Sequence, residues 1–193
     1  FANDNSVNIF RGKEKDVLDR YFQCAKKYSF STIVRITADC PLIDPQIVDK
    51  VIEQFFSENY DFATNTLTRT FPIGTDVEVF SFSALNKAWE NAQLPSEREH
   101  VTPYLHNKEN FKIINVENDK NISNLRLTVD RIEDFELIKQ ILNNISINPI
   151  HLEDVLELFS RKSELIEINK HINHNEGFNK SLEEDKEFIK KQK

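Results

Sequence analysis

Two aspartates at the ends of β-prone runs carry the clearest chemical signal in this chain. Arg35-Ile36-Thr37-Ala38-Asp39-Cys40-Pro41-Leu42 and Leu125-Arg126-Leu127-Thr128-Val129-Asp130 each run into a carboxylate and then break into a turn or a helix start. Such positions place the carboxylates at the edge of a sheet rather than on solvated helix faces. A pair of this kind can hold a divalent cation. Mg²⁺ usually takes one or two protein carboxylates and completes its shell with water and substrate phosphates, so the pair points to phosphate chemistry. The competing reading is a pair of ordinary turn or helix-capping aspartates. Asp76 and Glu78, two apart in Asp76-Val77-Glu78-Val79-Phe80, fall on one face of a strand, with Val77 and Val79 on the other. His171 and His174 share a helical face, but no thiolate or third ligand accompanies them, and they read as solvated.

The elements that must position these groups alternate between helix and strand. Glu14 to Tyr28 places Val17, Leu18, Tyr21, Phe22, Ala25 and Tyr28 on one helical stripe. Thr32 to Thr37 reads as a buried strand. Asp44-Pro45 is an N-cap followed by proline at the first helical position, and it opens a helix to about Ser57 with Ile47, Val48, Val51, Ile52, Phe55 and Phe56 inward. Tyr60 to Asn65 and Asp76 to Phe80 are the next strands, with Pro72 and Gly74 marking the turn between them. Ser83 to Ala92 is helical, and Ser96-Glu97-Arg98-Glu99 has the form of a capping box that starts a short helix. Phe111 to Glu117 and Leu125 to Val129 read as strands, and Ile132 to Asn144 as a helix with Phe135, Ile138, Ile141 and Leu142 inward. This alternation predicts a three-layer α/β fold with a mixed sheet over residues 1–150. Residues 151–193 form a charged, helical C-terminal tail, amphipathic at first and then too poor in apolar residues to close a core of its own.

A chain of 193 residues is one domain's worth of sequence with enough apolar content for a proper core. The net charge of −7 argues against a nucleic-acid binder, because duplex affinity comes largely from Lys and Arg neutralising phosphates. Two cysteines, Cys24 and Cys40, make neither a disulfide framework nor a metal-ligand spacing, which favours a reducing, cytoplasmic setting. No apolar run approaches the ~18 residues that insertion into a membrane requires.

Four segments carry a resemblance: VRITADCPLIDP (34–45), RTFPIGTDVEVFSFSAL (69–85), SEREHVTPYL (96–105) and LRLTVDRIEDFELI (125–138). Together and in this order they resemble the sugar-acid cytidylyltransferases of the spore-coat polysaccharide biosynthesis protein F type, relatives of the acylneuraminate and 3-deoxy-manno-octulosonate cytidylyltransferases. The resemblance implies the Rossmann-like nucleotide-diphospho-sugar transferase fold. It also implies formation of a CMP-sugar from CTP and a sugar or sugar acid, with release of pyrophosphate, for surface polysaccharides. Asp39 and Asp130 would then be the catalytic Mg²⁺ carboxylates, Asp76 and Glu78 would line the acceptor-sugar pocket, Arg69 would meet the substrate carboxylate, and Arg98 and His100 would belong to a second sugar-side motif. In the family pattern the second aspartate is followed by Thr-Pro-Glu-Asp, where this chain has Arg131-Ile132-Glu133-Asp134; the preset helix start is lost and the carboxylate kept. Self-association into a homodimer is a further expectation.

Family members open with a loop of the type A-R-M-G-S-T-R-L-P-G-K, which supplies backbone N–H groups and cations to a triphosphate. Nothing like it occurs here, and the three glycines are scattered. The chain therefore reads as an N-terminally truncated member, weak or inactive alone, although Arg11, Lys13 and Arg20 could face a triphosphate if they are not simply helix-surface charges. Two alternatives stand beside this reading. One is a metal-dependent glycosyltransferase with a nucleotide-sugar donor, in which Asp76-Val77-Glu78 is the acidic motif, and the other is a non-catalytic remnant.

Overall fold

The Asp44-Pro45 signal does start a helix, α2 (Pro45–Ser57), in the computed structural model, with the Asp44 side chain accepting the Gln46 amide at 2.8 Å. The structure describes residues 2–172 and 176–192, of which residues 176–179 are described by backbone alone. The remaining elements are α1 (Val17–Tyr28), β1 (Thr32–Arg35), β2 (Phe62–Thr64), β3 (Glu78–Ser81), α3 (Phe82–Asn91), α4 (Pro95–His100), β4 (Ile113–Asn115), α5 (Ile132–Asn144), α6 (Leu152–Arg161) and α7 (Glu176–Lys191). Two 3₁₀ turns, Pro103–His106 and Ser163–Ile168, complete the order. The strands form one mixed sheet in the order β1-β3-β2-β4, with β2 antiparallel to β3 and parallel to β4. Strand and helix alternate as the sequence predicts, and the fold class is α/β.

The chain divides into two compact units, one comprising residues 34–80 and 113–173 and the other residues 1–33, 81–112 and 174–193. In the first, the core is built from Ile47, Val51 and Phe55 of α2, Val77 and Val79 beside and within β3, Leu125 and Leu127, and the inner faces of α5 and α6. A buried carboxylate ties two helix starts of this unit together, those of α2 and α6. Asp44 accepts the Leu152 amide at 2.7 Å as well as the Gln46 amide, and lies 3.0 Å from His151 Nδ1. The N-termini of α2 and α6 thus converge on one anion, the sign that helix dipoles favour there.

In the second unit α1 buries Leu18, Phe22 and Ala25. Phe22 stacks on Trp89 of α3 at 4.1 Å between ring centres, and the Trp89 indole donates to Asp19 at 2.8 Å. α7 joins α4 through Asp185, which accepts both the amide and the hydroxyl of Ser96.

Several local expectations are corrected. Phe56, Phe135 and Leu142 face outward, because α2 and α5 bury a narrower stripe than the run of apolar residues suggests: Ile47, Val51 and Phe55 on α2, and Leu137, Ile138 and Ile141 on α5. Tyr28, at the end of α1, is also exposed. β1 ends at Arg35, and in it only Ile33 is buried while Val34 is exposed, as the alternation of a strand at the end of the sheet order allows; Ile36, just past it, is exposed too. Residues 125–129 form no strand; they make a single parallel bridge, Ile73 to Arg126, because their partners are loops. α4 starts at Pro95 rather than after Ser96, and Glu97 caps it by accepting the Gln93 and Leu94 amides at 2.9 and 3.0 Å. His171 is exposed, and His174 lies outside the described residues.

Candidate active site

Asp39 is held by its backbone. Its carbonyl accepts the Val129 amide at 2.9 Å and the Thr128 hydroxyl at 3.1 Å, so the residue preceding Asp130 is bonded directly to Asp39. The Thr128 hydroxyl also lies 3.2 Å from Asp39 Oδ2, and the Cys40 thiol donates to Oδ1 at 3.8 Å. Burial, reinforced by the negative charge of Asp39 and opposed by a hydrogen bond from Thr37, pushes the Cys40 thiol up to about 11. Cys40 therefore stays protonated and serves as a weak donor rather than a nucleophile.

Asp130 follows at once, at the start of α5, and its supports are ones the sequence reading missed. Asp134 is fully buried and accepts the Asp130 and Arg131 amides at 3.1 and 3.0 Å, as an N3 carboxylate does for the first turn of a helix. The Arg126 guanidinium forks onto it, Nε to Oδ1 and Nη2 to Oδ2, both at 2.9 Å. Nη2 also donates to Asp130 Oδ2 at 2.7 Å. Asn169 closes the cluster by donating to Asp134 Oδ1 at 2.8 Å and to the Arg126 carbonyl at 3.0 Å. Burial alone would raise the Asp134 pKa, but the Arg126 and Asn169 hydrogen bonds outweigh it and hold the carboxyl below its ordinary range. An arginine between Leu125 and Leu127, followed eight residues later by an aspartate in a helix's first turn, was the available signal.

The segment 69–78 is laid against this assembly. Ile73 accepts the Leu127 amide at 2.7 Å and donates to the Leu125 carbonyl at 3.0 Å. Gly74 has φ of +93°, and a Cβ there would lie 2.4 Å from the Thr128 nitrogen, so this approach of two backbones requires glycine. The buried Asn65 side chain extends the sheet contacts, donating to the Thr75 carbonyl at 2.8 Å and accepting the Val77 amide at 2.9 Å. The unit thus gathers Asp39, Asp130, Asp76 and Glu78 around three backbone segments.

The acidic pair meets arginines. Arg69 forks onto Asp76, with Nη1 to Oδ1 at 2.5 Å and Nη2 to Oδ2 at 2.9 Å. Burial works against this cation, yet the Asp76 hydrogen bonds and charge, with Glu78 contributing, hold its pKa above the ordinary arginine value. Glu78 is buried and accepts Arg35 Nη1 at 2.5 Å, while Val77 and Val79 are fully buried. Both acids are therefore charge-compensated, which leaves Asp76-Val77-Glu78 ill suited as the principal metal motif of a glycosyltransferase.

Arg98 and His100 lie in the other unit and make their contacts there. Arg98 forks onto Asp16, the N-cap of α1, at 2.9 and 2.7 Å, and donates to the Trp89 carbonyl at 3.0 Å. His100 Nε2 lies 2.8 Å from the Ser181 hydroxyl of α7.

The donor set of the first unit fits a hard divalent cation. Asp130 is half exposed, and among the described residues only its Oδ2 is engaged. The partners of the Asp39 carboxylate are a hydroxyl and a thiol, which leave lone pairs on both oxygens. No group of three or more His, Cys, Asp or Glu side chains is assembled for a metal among the described residues. No helix among the described residues is long and apolar enough to cross a membrane.

Comparison with known proteins bears on the whole arrangement. Residues 2–175 match the protein-family model described as "Cytidylyltransferase". The chain is 36% identical to an uncharacterised protein of Methanocaldococcus jannaschii, over 89% of this chain and 70% of that protein. It is 28% identical to the spore coat polysaccharide biosynthesis protein SpsF of Bacillus subtilis, over 79% of this chain and 65% of that protein. The solved structure of a cytidylyltransferase from Leptospira borgpetersenii is similar, with a TM-score of 0.83 and 38% identity over 90% of this chain and 74% of that one.

Proposed function

The chain belongs to the cytidylyltransferase family of enzymes, and from that premise we propose that it forms a CMP-sugar from CTP and an acidic or related sugar, with release of pyrophosphate, in surface polysaccharide biosynthesis. The observation that supports this most is the bond between the Val129 amide and the Asp39 carbonyl, which sets the backbones of the two candidate metal carboxylates side by side. Asp39 and Asp130 would hold Mg²⁺. That ion, when bound, neutralises phosphate oxygens and lowers the pKa of a coordinated hydroxyl.

The remaining work falls to the chain's own side chains. Arg69, forked onto Asp76, offers an acidic sugar an exchange: the substrate carboxylate takes the guanidinium, and the released Asp76 accepts a sugar hydroxyl. Glu78, neutralised by Arg35, adds no uncompensated charge to repel an anionic substrate. Cys40, held as a thiol, keeps Asp39 hydrogen-bonded without competing as a nucleophile. Positioning of acceptor and triphosphate in line supplies most of the catalysis in reactions of this kind.

The test is pyrophosphate release from CTP with Mg²⁺ and a panel of sugar acids and neutral sugars. Turnover with a sugar acid, slow because the chain lacks the Gly- and Arg-rich triphosphate loop and abolished for the most part in Asp39→Asn, is the expected result. Turnover of UDP- or GDP-sugars with no use of CTP would overturn the proposal.

A further inference from the structure

Asp130 is a half-exposed side chain at a helix start, a position in which a carboxylate ordinarily samples several rotamers. Here one of its oxygens is pinned by a guanidinium that cannot itself move. Arg126 is buried, its Nε and Nη2 are locked onto the two oxygens of Asp134, and its carbonyl is fixed by Asn169. Asp134 in turn is fixed by the Asp130 and Arg131 amides. The second bond of Nη2 to Asp130 Oδ2 therefore selects one orientation of that carboxylate and leaves Oδ1 as the oxygen to be presented.

We propose that Arg126, anchored by Asp134, is a positioning residue that sets the Asp130 carboxylate for a divalent cation. This rests on the reading of Asp39 and Asp130 as the metal pair. A planar fork is needed because one nitrogen must serve two carboxylates while a neighbouring nitrogen of the same group fixes its plane. Lysine has the charge without the plane. Arg126→Lys thus keeps the charge and removes the fork, so a loss of affinity in a folded variant reports the orienting hydrogen bonds rather than the charge.

The experiment is Mn²⁺ binding to the 193-residue chain, followed by electron paramagnetic resonance, with thermal unfolding measured on the same samples. The parent should bind Mn²⁺ and Asp130→Asn should bind it poorly. Arg126→Lys should lose ~10-fold in affinity, the lower end of what removing a ligand's outer-shell partner costs. Asp134→Asn, which keeps Arg126 but turns one acceptor of its anchor into an amide N–H₂, should shift affinity in the same direction. A folded Arg126→Lys with parental affinity overturns the inference while leaving the metal pair intact. A parent whose Mn²⁺ binding does not depend on Asp39 or Asp130 removes the metal reading itself. Failure of both variants to fold also overturns the inference, because the cluster would then be purely structural.

Discussion

Replacing Gly74 with alanine puts a methyl group into a contact that has no room for it. The added Cβ would lie 2.4 Å from the Thr128 nitrogen, 2.5 Å from the Leu127 carbonyl carbon and 2.8 Å from the Leu127 oxygen, all of them backbone atoms. A left-handed residue with a side chain costs about 1–2 kcal/mol, and forcing apart a packed contact adds about 1–3 kcal/mol. The smaller unfolded-state entropy of alanine returns about 0.4–1 kcal/mol. The net loss is about 1–4.6 kcal/mol, which for a chain of this length lowers Tm by about 2–18 °C. Urea unfolding followed by circular dichroism measures it. Gly12→Ala is the comparison: its Cβ would meet Arg20 Cγ at 2.6 Å, a side-chain rather than a backbone atom, at a residue without positive φ, so the expected loss is smaller than at Gly74. The reasoning fails if the two alanine variants are equally stable, because backbone contact and positive φ at Gly74 would then carry no cost.

Two further outcomes follow from the same contacts. His151 lies against Asp44, whose hydrogen bond and charge raise the histidine pKa. The folded state therefore holds the proton more tightly, and the stabilisation is complete below the unfolded value of ~6.5 and is lost as pH rises through the raised folded value. The urea midpoint should fall as pH rises above the unfolded value of ~6.5, and this fall should shrink in His151→Gln; equal slopes would refute the linkage. Asn65→Ala leaves the buried Thr75 carbonyl and Val77 amide without their partner and should cost about 2–4 kcal/mol in the same assay, a loss below about 1 kcal/mol counting against it.

The readable parts of the fold were those written in adjacent residues. Asp44-Pro45 marks α2 because cap and proline act within one turn, and the alternation in 76–80 places Val77 and Val79 in the core for the same local reason. Misplacements arose where a longer-range partner decides. Residues 125–129 have the composition of a strand, yet their neighbours are the Gly74 turn and the Asp39 loop, which neither composition nor periodicity can announce. Ser96 has the look of a cap, but its amide and hydroxyl are taken by Asp185 on a helix far along the chain. Phe56 sits next to Phe55 and shares its hydrophobicity, while the helix turns it away from the core. Asp39, Asp130, Arg69, Asp76 and Glu78 were all visible as chemistry-bearing residues. The Arg126–Asp134–Asn169 cluster was not, since its meaning depends on three segments meeting.

The shared carboxylate of Asp44 has a consequence for the order of folding. Its bond to Gln46 closes within two residues, whereas its bond to Leu152 spans 108 positions of sequence. The first can form in a nascent helix within microseconds, but the second must wait for a long loop to close. Until it does, Asp44 caps α2 while α6 lacks its partner, so the two helices acquire their final ends at different times although they share one anchor. Once both are docked, loss of the anchor on either side exposes the other, which makes α2 and the start of α6 a single opening unit despite their separation along the chain.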